Sequence, residues 1–231
     1  MRILFIAADR MEFSGALTHT SALRDLPLRA AWARAGRIGG HDAVMVANGA
    51  GAARAAAALE DACSHFHPEI VVNTGFCGAL DPSLAVASVV VATQVIAGEA
   101  HFPALPVRSS SPFSAGPVCS IDRVAQTAAE KRGLRATGAC AVEMEAAGVA
   151  AAAQARGLPF YCIRTVTDLA EETLRNDFNQ ALRRDGRFDT MSILTSALRH
   201  PAARLPELVR LRKRCALASQ TLGSFFANCN F

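Results

Sequence analysis

Large rings are scarce in this chain: one tryptophan and one tyrosine stand among 231 residues, although 51% of the sequence is hydrophobic. The core must therefore be built from small aliphatic side chains, mainly alanine and valine, a composition suited to helices packed closely on a sheet. Paired cysteines are lacking too. Seven cysteines (63, 77, 119, 140, 162, 215 and 229) are odd in number, scattered and mostly set in apolar runs. They form no Cys-x-x-Cys pair, which argues against zinc and for a reduced, cytoplasmic setting. His65 and His67 have no further ligands near them in sequence, so no metal is expected. No apolar stretch reaches the roughly 18 uninterrupted residues of a membrane span. The chain opens directly on strand-like Arg2 to Ile6 without a cleavable leader pattern, so no stable membrane insertion is expected. Basic residues are not interleaved with aromatics and no nucleic-acid motif occurs, which leaves nucleic acid out as a partner. The net charge of +4 gathers in Arg183, Arg184, Arg187 and the stretch from Arg204 to Arg214, in the manner of a solvated helix face.

What is present is an alternation of short β-branched runs with helical patterns. That alternation predicts an α/β fold, a mostly parallel sheet covered by helices on both faces. Strands are expected at 2–7, 43–47, 69–73, 88–95 and 159–166. Helices are expected at 51–65, 122–132 and 143–156, and in pieces from 170 onward, with Pro201 and Pro206 breaking the last region. Ala100 to Pro117, with four prolines and three consecutive serines, reads as a loop. No repeat or linker divides the chain, so residues 1–231 are expected to form one domain.

Chemistry gathers at the predicted strand ends. Glu12 follows the first strand, where open α/β sheets place ligands, and it can activate a water molecule. Its structural alternative is a first-turn acid facing the helix dipole. Asn73-Thr74-Gly75-Phe76-Cys77-Gly78 reads as a turn after a buried strand, with glycines that let backbone approach a ligand; ordinary turn chemistry explains it equally. Glu143 and Glu145 flank Met144 just before a helix. On extended backbone they share a face, and one carboxylate can accept both cis hydroxyls of a ribose while Met144 lines the sugar. An acid-rich helix start is the alternative. Asp168 ends an apolar strand, and Arg164 stands four residues before it. A partly buried Asp168 can hold a proton and act as an acid, although Asp-x-x-Glu is also a capping pattern. Gly49-Ala50-Gly51 has only part of a dinucleotide fingerprint.

Taken in order, Met11-Glu12, Asn48 to Gly51, Asn73 to Pro82, Val142 to Glu145 and Arg164 to Asp168 resemble the purine nucleoside phosphorylase/nucleosidase family. The resemblance spans residues 1 to about 170 and is nearest to the methylthioadenosine/S-adenosylhomocysteine nucleosidases. It implies a three-layer αβα sandwich with a mostly parallel mixed sheet, and cleavage of the bond between a purine and its sugar. Asp168 would protonate the leaving base, with Glu12 and Arg164 handling the attacking water. Glu145 and Met144 would bind the ribose, together with Glu143, Phe76, Cys77 and Gly78. No cofactor is implied, apart from phosphate as co-substrate should the protein be a phosphorylase.

Phosphorylases of the family carry an arginine where Asn73 stands, so the resemblance favours water, with Arg10 as a nearby basic residue that blurs the distinction. Phe76 replaces a small polar residue, and the segment after Val95 is shorter than the family's base-binding loop. The tail, Asp185 to Asp189 with Leu198 to Pro201 and Leu205 to Leu208, resembles hopanoid-associated phosphorylases, relatives linked to removing adenine from adenosylhopane. That likeness adds a second candidate substrate. A non-catalytic nucleoside-binding protein is the third reading. The apolar terminus around Phe225 and Phe226 suits either a greasy substrate or a subunit contact; the family implies a homo-oligomer, with a dimer favoured.

Overall fold

The computed structural model describes all of residues 1–231. Its strands are β1 (Arg2–Ala7), β2 (Ser21–Asp25), β3 (Trp32–Ile38), β4 (His41–Ala47), β5 (Ile70–Ala79), β6 (Val89–Ala97), β7 (Ala100–Pro103), β8 (Arg108–Ser109), β9 (Ser114–Ser120), β10 (Ala141–Glu143), β11 (Phe160–Asp168) and β12 (Cys229–Asn230). The helices are α1 (Ser14–Thr18), entered through a 3₁₀ turn at Arg10–Phe13, then α2 (Ala52–Cys63), α3 (Ala128–Arg135), α4 (Ala146–Ala155), α5 (Phe178–Ala181), α6 (Thr190–Ala197) and α7 (Pro201–Ala227).

Ten strands form one mixed sheet in the order β10-β9-β6-β11-β5-β1-β4-β3-β2, with β7 hydrogen-bonded to β6. Its centre, β11-β5-β1-β4, is parallel. Antiparallel β3 and β2 extend one side, and a β6–β7 hairpin lies on the other. Alternation along β1 sends Leu4 and Ile6 into the core beneath α2 and α4, while Ile3, Phe5 and Ala7 pack on the opposite face with α1 and α7. A strand buried on both faces reads as an unbroken apolar run. The result is an αβα sandwich.

Four expectations need correction. Residues 74–79 are not a turn: β5 continues through them to Ala79. The proline-rich stretch from 100 to 117 is not a loop, for it contributes β7, β8 and the start of β9; Pro103 ends the short β7, and Pro117 sits in β9 where the register with β6 shifts, an irregularity that accommodates a missing N–H. Pro206 lies inside a 27-residue helix, while Pro201 occupies the first turn. A proline in the second turn removes a single ladder bond, which the long packed helix tolerates. Phe225 and Phe226 are buried against Phe5 and Phe113 of the same chain, so they need neither a substrate nor a subunit to cover them. No helix is long and apolar enough to cross a membrane.

One packing detail positions chemistry. The Ser219 hydroxyl on α7 donates to the Glu12 carbonyl (3.1 Å) and accepts from the Gly15 amide (2.9 Å). A Cβ at Gly15 would lie 2.0 Å from the Ser219 carbonyl oxygen, so only glycine lets α7 lie this close and clamp the turn that carries Glu12.

Candidate active site

Register brings the motifs together. Gly78 on β5 lies beside Asp168 of β11 on one side and Val142 of β10 on the other, and Gly75 lies beside Arg164. The carboxyl ends of these strands border a cavity of about 540 Å³. On its sheet side are Glu12, Glu143, Met144, Glu145, Thr167 and Asp168; on its helix side are Leu174, Phe178, Phe188, Ile193 and Leu211. Phe76, Cys77 and Gly78 also line it.

Arg164 organises the sheet side although it lies wholly beneath the surface. Its Nη2 donates to Asn73 Oδ1 and to Glu143 Oε2. Its Nη1 lies 3.3 Å from Glu145 Oε2 and 3.5 Å from the Phe76 carbonyl. Burial alone would lower its basicity, but the Glu143 and Glu145 carboxylates outweigh that and hold it above its ordinary value. The guanidinium therefore stays charged, fixed by carboxylates on both sides.

Glu143 lines the cavity, and one of its two carboxylate oxygens is taken up by the chain itself. Its side chain is fully buried, and Oε2 accepts the Glu145 and Ala146 amides, each at 2.8 Å, as well as Arg164. It caps the start of α4 and anchors the arginine. Glu145 is placed differently: Oε1 accepts the Gly51 amide at the head of α2 (3.1 Å), while Oε2 meets Arg164. Burial pushes its carboxyl up to about 7, Arg164 opposing this and Glu143 adding to it.

Glu12 fills the capping role considered for it and also borders the cavity. Oε2 accepts the Ala8 and Asp9 amides (2.8 and 2.9 Å), closing a capping box, and Oε1 accepts the Phe76 amide at 2.7 Å. A Cβ at Gly75, where φ is +131°, would lie 2.3 Å from Glu12 Oε1, so glycine is required on two counts. Burial raises the Glu12 carboxyl above its usual range against the pull of these amides and Arg164.

Asp168 is not a helix cap. Its Oδ1 accepts from the Thr167 hydroxyl at 3.1 Å, and its Oδ2 lies 2.5 Å from Lys131 Nζ. Burial holds the carboxyl above its ordinary value, and Lys131 resists that shift. Lys131 escaped the sequence reading; it comes from α3, whose capping box (Thr127, Glu130) was the only local signal there. Asn73 is wholly buried and spends its amide on Arg164 and the Ile6 carbonyl, so it stands beneath the site rather than in it. Arg10 is exposed and off the cavity. The Cys77 thiol packs in the core, and its carbonyl accepts from Thr167 at 3.3 Å.

Fold and comparisons define the class as an enzyme that cleaves a glycosidic bond, of the nucleosidase type acting on N-ribosidic bonds. Residues 2–114 and 105–199 match the Phosphorylase superfamily, and the chain belongs to that family. It is 30% identical over 182 residues to the 5'-methylthioadenosine/S-adenosylhomocysteine nucleosidase of Geobacillus kaustophilus (strain HTA426), a match covering 64% of this chain and 75% of that one. Its fold is similar to that nucleosidase from S. pneumoniae, solved with the transition-state inhibitor MT-ImmA (TM-score 0.70, 19% identity, 99% of both chains). It is also similar to the futalosine hydrolase of Helicobacter pylori strain 26695 (TM-score 0.70, 18% identity, 97% and 96% covered).

Proposed function

We propose that this protein hydrolyses the N-ribosidic bond of an adenine nucleoside, with Asp168 as general acid. The observation that carries the reading is a largely buried carboxyl at the end of β11 that opens on the same cavity as Glu12 and Glu145, where burial favours its protonated form. As the C1′–N bond lengthens, the electron pair moves to the base and Asp168 passes its proton to a base nitrogen. The ribose becomes oxocarbenium-like, a cation that the neighbouring carboxylates stabilise. Glu145 accepts from the ribose hydroxyls, with Met144 against the sugar. Glu12, fixed by three backbone amides, takes the proton of the attacking water, and Arg164 holds Glu143 and Glu145 in place. These groups supply every proton the step moves, so no cofactor is required.

Water is favoured over phosphate by the charges at hand. Phosphate needs cations aimed at it. Arg164 is consumed by carboxylates, and the arginines that do line the cavity, Arg123 and Arg187, are exposed. The test is adenine release from methylthioadenosine, S-adenosylhomocysteine and adenosine, with and without phosphate. Release in phosphate-free buffer is expected; release that requires phosphate overturns the hydrolytic assignment, and no release or binding overturns the nucleosidase reading for these substrates.

A second reading of the substrate has its own observation. The helix-side wall is apolar and reaches the surface at Phe188, which suits a 5′ substituent larger and greasier than methylthio, as in an adenosylhopane-type nucleoside. Competition by an adenine nucleoside bearing a long 5′-alkyl chain separates the two.

A further inference from the structure

Of the 24 basic residues in this chain only two are lysines, and one of them, Lys131, is completely buried with its ammonium against the candidate acid. Nζ lies 2.5 Å from Asp168 Oδ2 and 2.7 Å from the Leu169 carbonyl oxygen. A buried lysine requires partners that outweigh its lost hydration, and here both partners sit at the end of β11. The remaining groups around Asp168 are poor substitutes. Glu172, on the segment after β11, repels the carboxylate, while Cys77 on β5 and Cys215 on α7 carry no positive charge. Arg214 on α7 is engaged by Glu172 Oε2 (2.6 Å) and the Thr167 carbonyl (3.4 Å). Lys131 is the one cation bonded to Asp168.

We propose that Lys131 is the positioning residue of the general acid: it fixes Oδ2 and stabilises the carboxylate that forms as the proton leaves for the base. This rests on Asp168 being the acid. The argument is one of changing charge. To act as the acid Asp168 must enter the step neutral, and Lys131 then gains only a hydrogen bond. As the C1′–N bond breaks, the proton of Asp168 moves to the base nitrogen and an anion develops beside a fixed ammonium. An interaction that strengthens along the reaction lowers the barrier. A single ammonium bond on Oδ2 also leaves the proton to Oδ1, whose neighbour, the Thr167 hydroxyl, has the Cys77 carbonyl as its other acceptor. An arginine, with its planar fork, would tend to engage both oxygens.

The arrangement has a cost that makes it testable, because a cation that favours the carboxylate also drains the protonated form at high pH. Removing Lys131 should therefore slow the step yet extend activity to higher pH. The experiment compares wild type with Lys131→Met, using methylthioadenosine and p-nitrophenyl riboside, whose leaving group departs without protonation. A roughly tenfold or greater loss of kcat on methylthioadenosine is expected, a fraction of what the acid itself supplies. KM should change little, and the ratio of the two turnovers should fall. The alkaline limb of kcat should move up by roughly one pH unit or more. Equal losses on both substrates, or an unmoved limb, would show a structural role and overturn the proposal. Should Lys131→Met fail to fold, Lys131→Gln keeps an N–H donor for the Leu169 carbonyl and gives the same readouts. A wild type that releases no base from any nucleoside would instead sink the reading of Asp168, so the two failures are distinguishable.

Discussion

On the sheet side of the cavity, four carboxylates gather near strand ends with two buried cations against them, Arg164 within β11 and Lys131 from α3, and nearly every carboxylate oxygen already has a backbone or side-chain donor. On the helix side, Phe178, Phe188, Ile193 and Leu211 present carbon, and the arginines that also line the cavity, Arg123 and Arg187, are exposed. The first surface is preorganised: amides from β5, α2 and α4 hold the carboxylates before any substrate arrives, which is what stabilising a developing cation requires. The second is shaped by packing, and a greasy wall selects by size more than by orientation. Reaction rate should therefore answer to the sheet side and substrate preference to the helix side.

The strongest way to break that comparison is Asp168→Asn. Losing the acid should lower kcat for methylthioadenosine by roughly 10²–10⁴-fold, while calorimetric binding of adenine or the nucleoside stays near the wild-type value. A loss confined to binding would move Asp168 from chemistry to recognition. Next is Glu145→Gln. The amide can still accept from Gly51 but no longer offers a charged acceptor to the ribose. Hydrogen bonds to charged groups contribute about 1.5–3 kcal/mol, so kcat/KM should drop roughly tenfold to a hundredfold. A 2′-deoxynucleoside should lose less to this change than its ribose counterpart; equal losses would remove the ribose role.

These two surfaces also differ in how legible they were. Glu12 and Asp168 are readable as candidates because they follow or end recognisable strands, and strand ends are where such sheets gather ligands; Arg164 was read from the same run as Asp168, and Glu145 from its spacing to Glu143, since β10 was not expected as a strand. Glu143 was equally visible, yet its role was not, because nothing local says which of two carboxylates turns inward to cap α4. Lys131 was invisible for a related reason. An isolated lysine on a short polar helix reads as solvated, and only the tertiary approach of α3 to β11 buries it. The central strands followed from their apolar runs, whereas the exposed β2 and the proline-rich β7 and β9 lacked that signal. On the helix side, α5 and α6 are short elements whose apolar residues have no clear period, so the wall emerged only from the fold.

A milder change tests the wall. Ile193→Ser, on the partly exposed α6, removes apolar surface from the helix side without touching a carboxylate. The change removes three carbons and adds a hydroxyl, and a single missing methylene in an apolar pocket already changes discrimination by about 1–3 kcal/mol. The expectation is a several-fold rise in KM for methylthioadenosine with kcat nearly constant, and a larger rise for a 5′-alkyl adenine nucleoside. A fall in kcat with KM unchanged would mean that the helices also shape the reacting geometry.

The smallest expected effect is thermodynamic and separates the two sides without substrate. Glu145 is pushed to about 7 by burial, from an ordinary value of 4.5. Between those values the folded protein keeps a proton that the unfolded chain gives up. The folded state then binds more protons, so stability falls as pH rises through the window. Glu12 and Asp168 are raised as well and act with the same sign. Glu172, buried but held low by Arg214, acts with the opposite sign, its stabilisation being lost only as acid protonates it. Thermal melts between about pH 5 and 8 should therefore show a midpoint that declines by a few degrees, and Glu145→Gln should flatten the decline because glutamine has no proton to lose. Ile193→Ser should leave the slope intact, since no titrating group changes. Glu12 and Asp168 should leave part of the decline in Glu145→Gln; a slope equal to that of the wild type would mean that Arg164 keeps Glu145 ionised throughout, so that this carboxylate holds its charge at full strength before the nucleoside arrives.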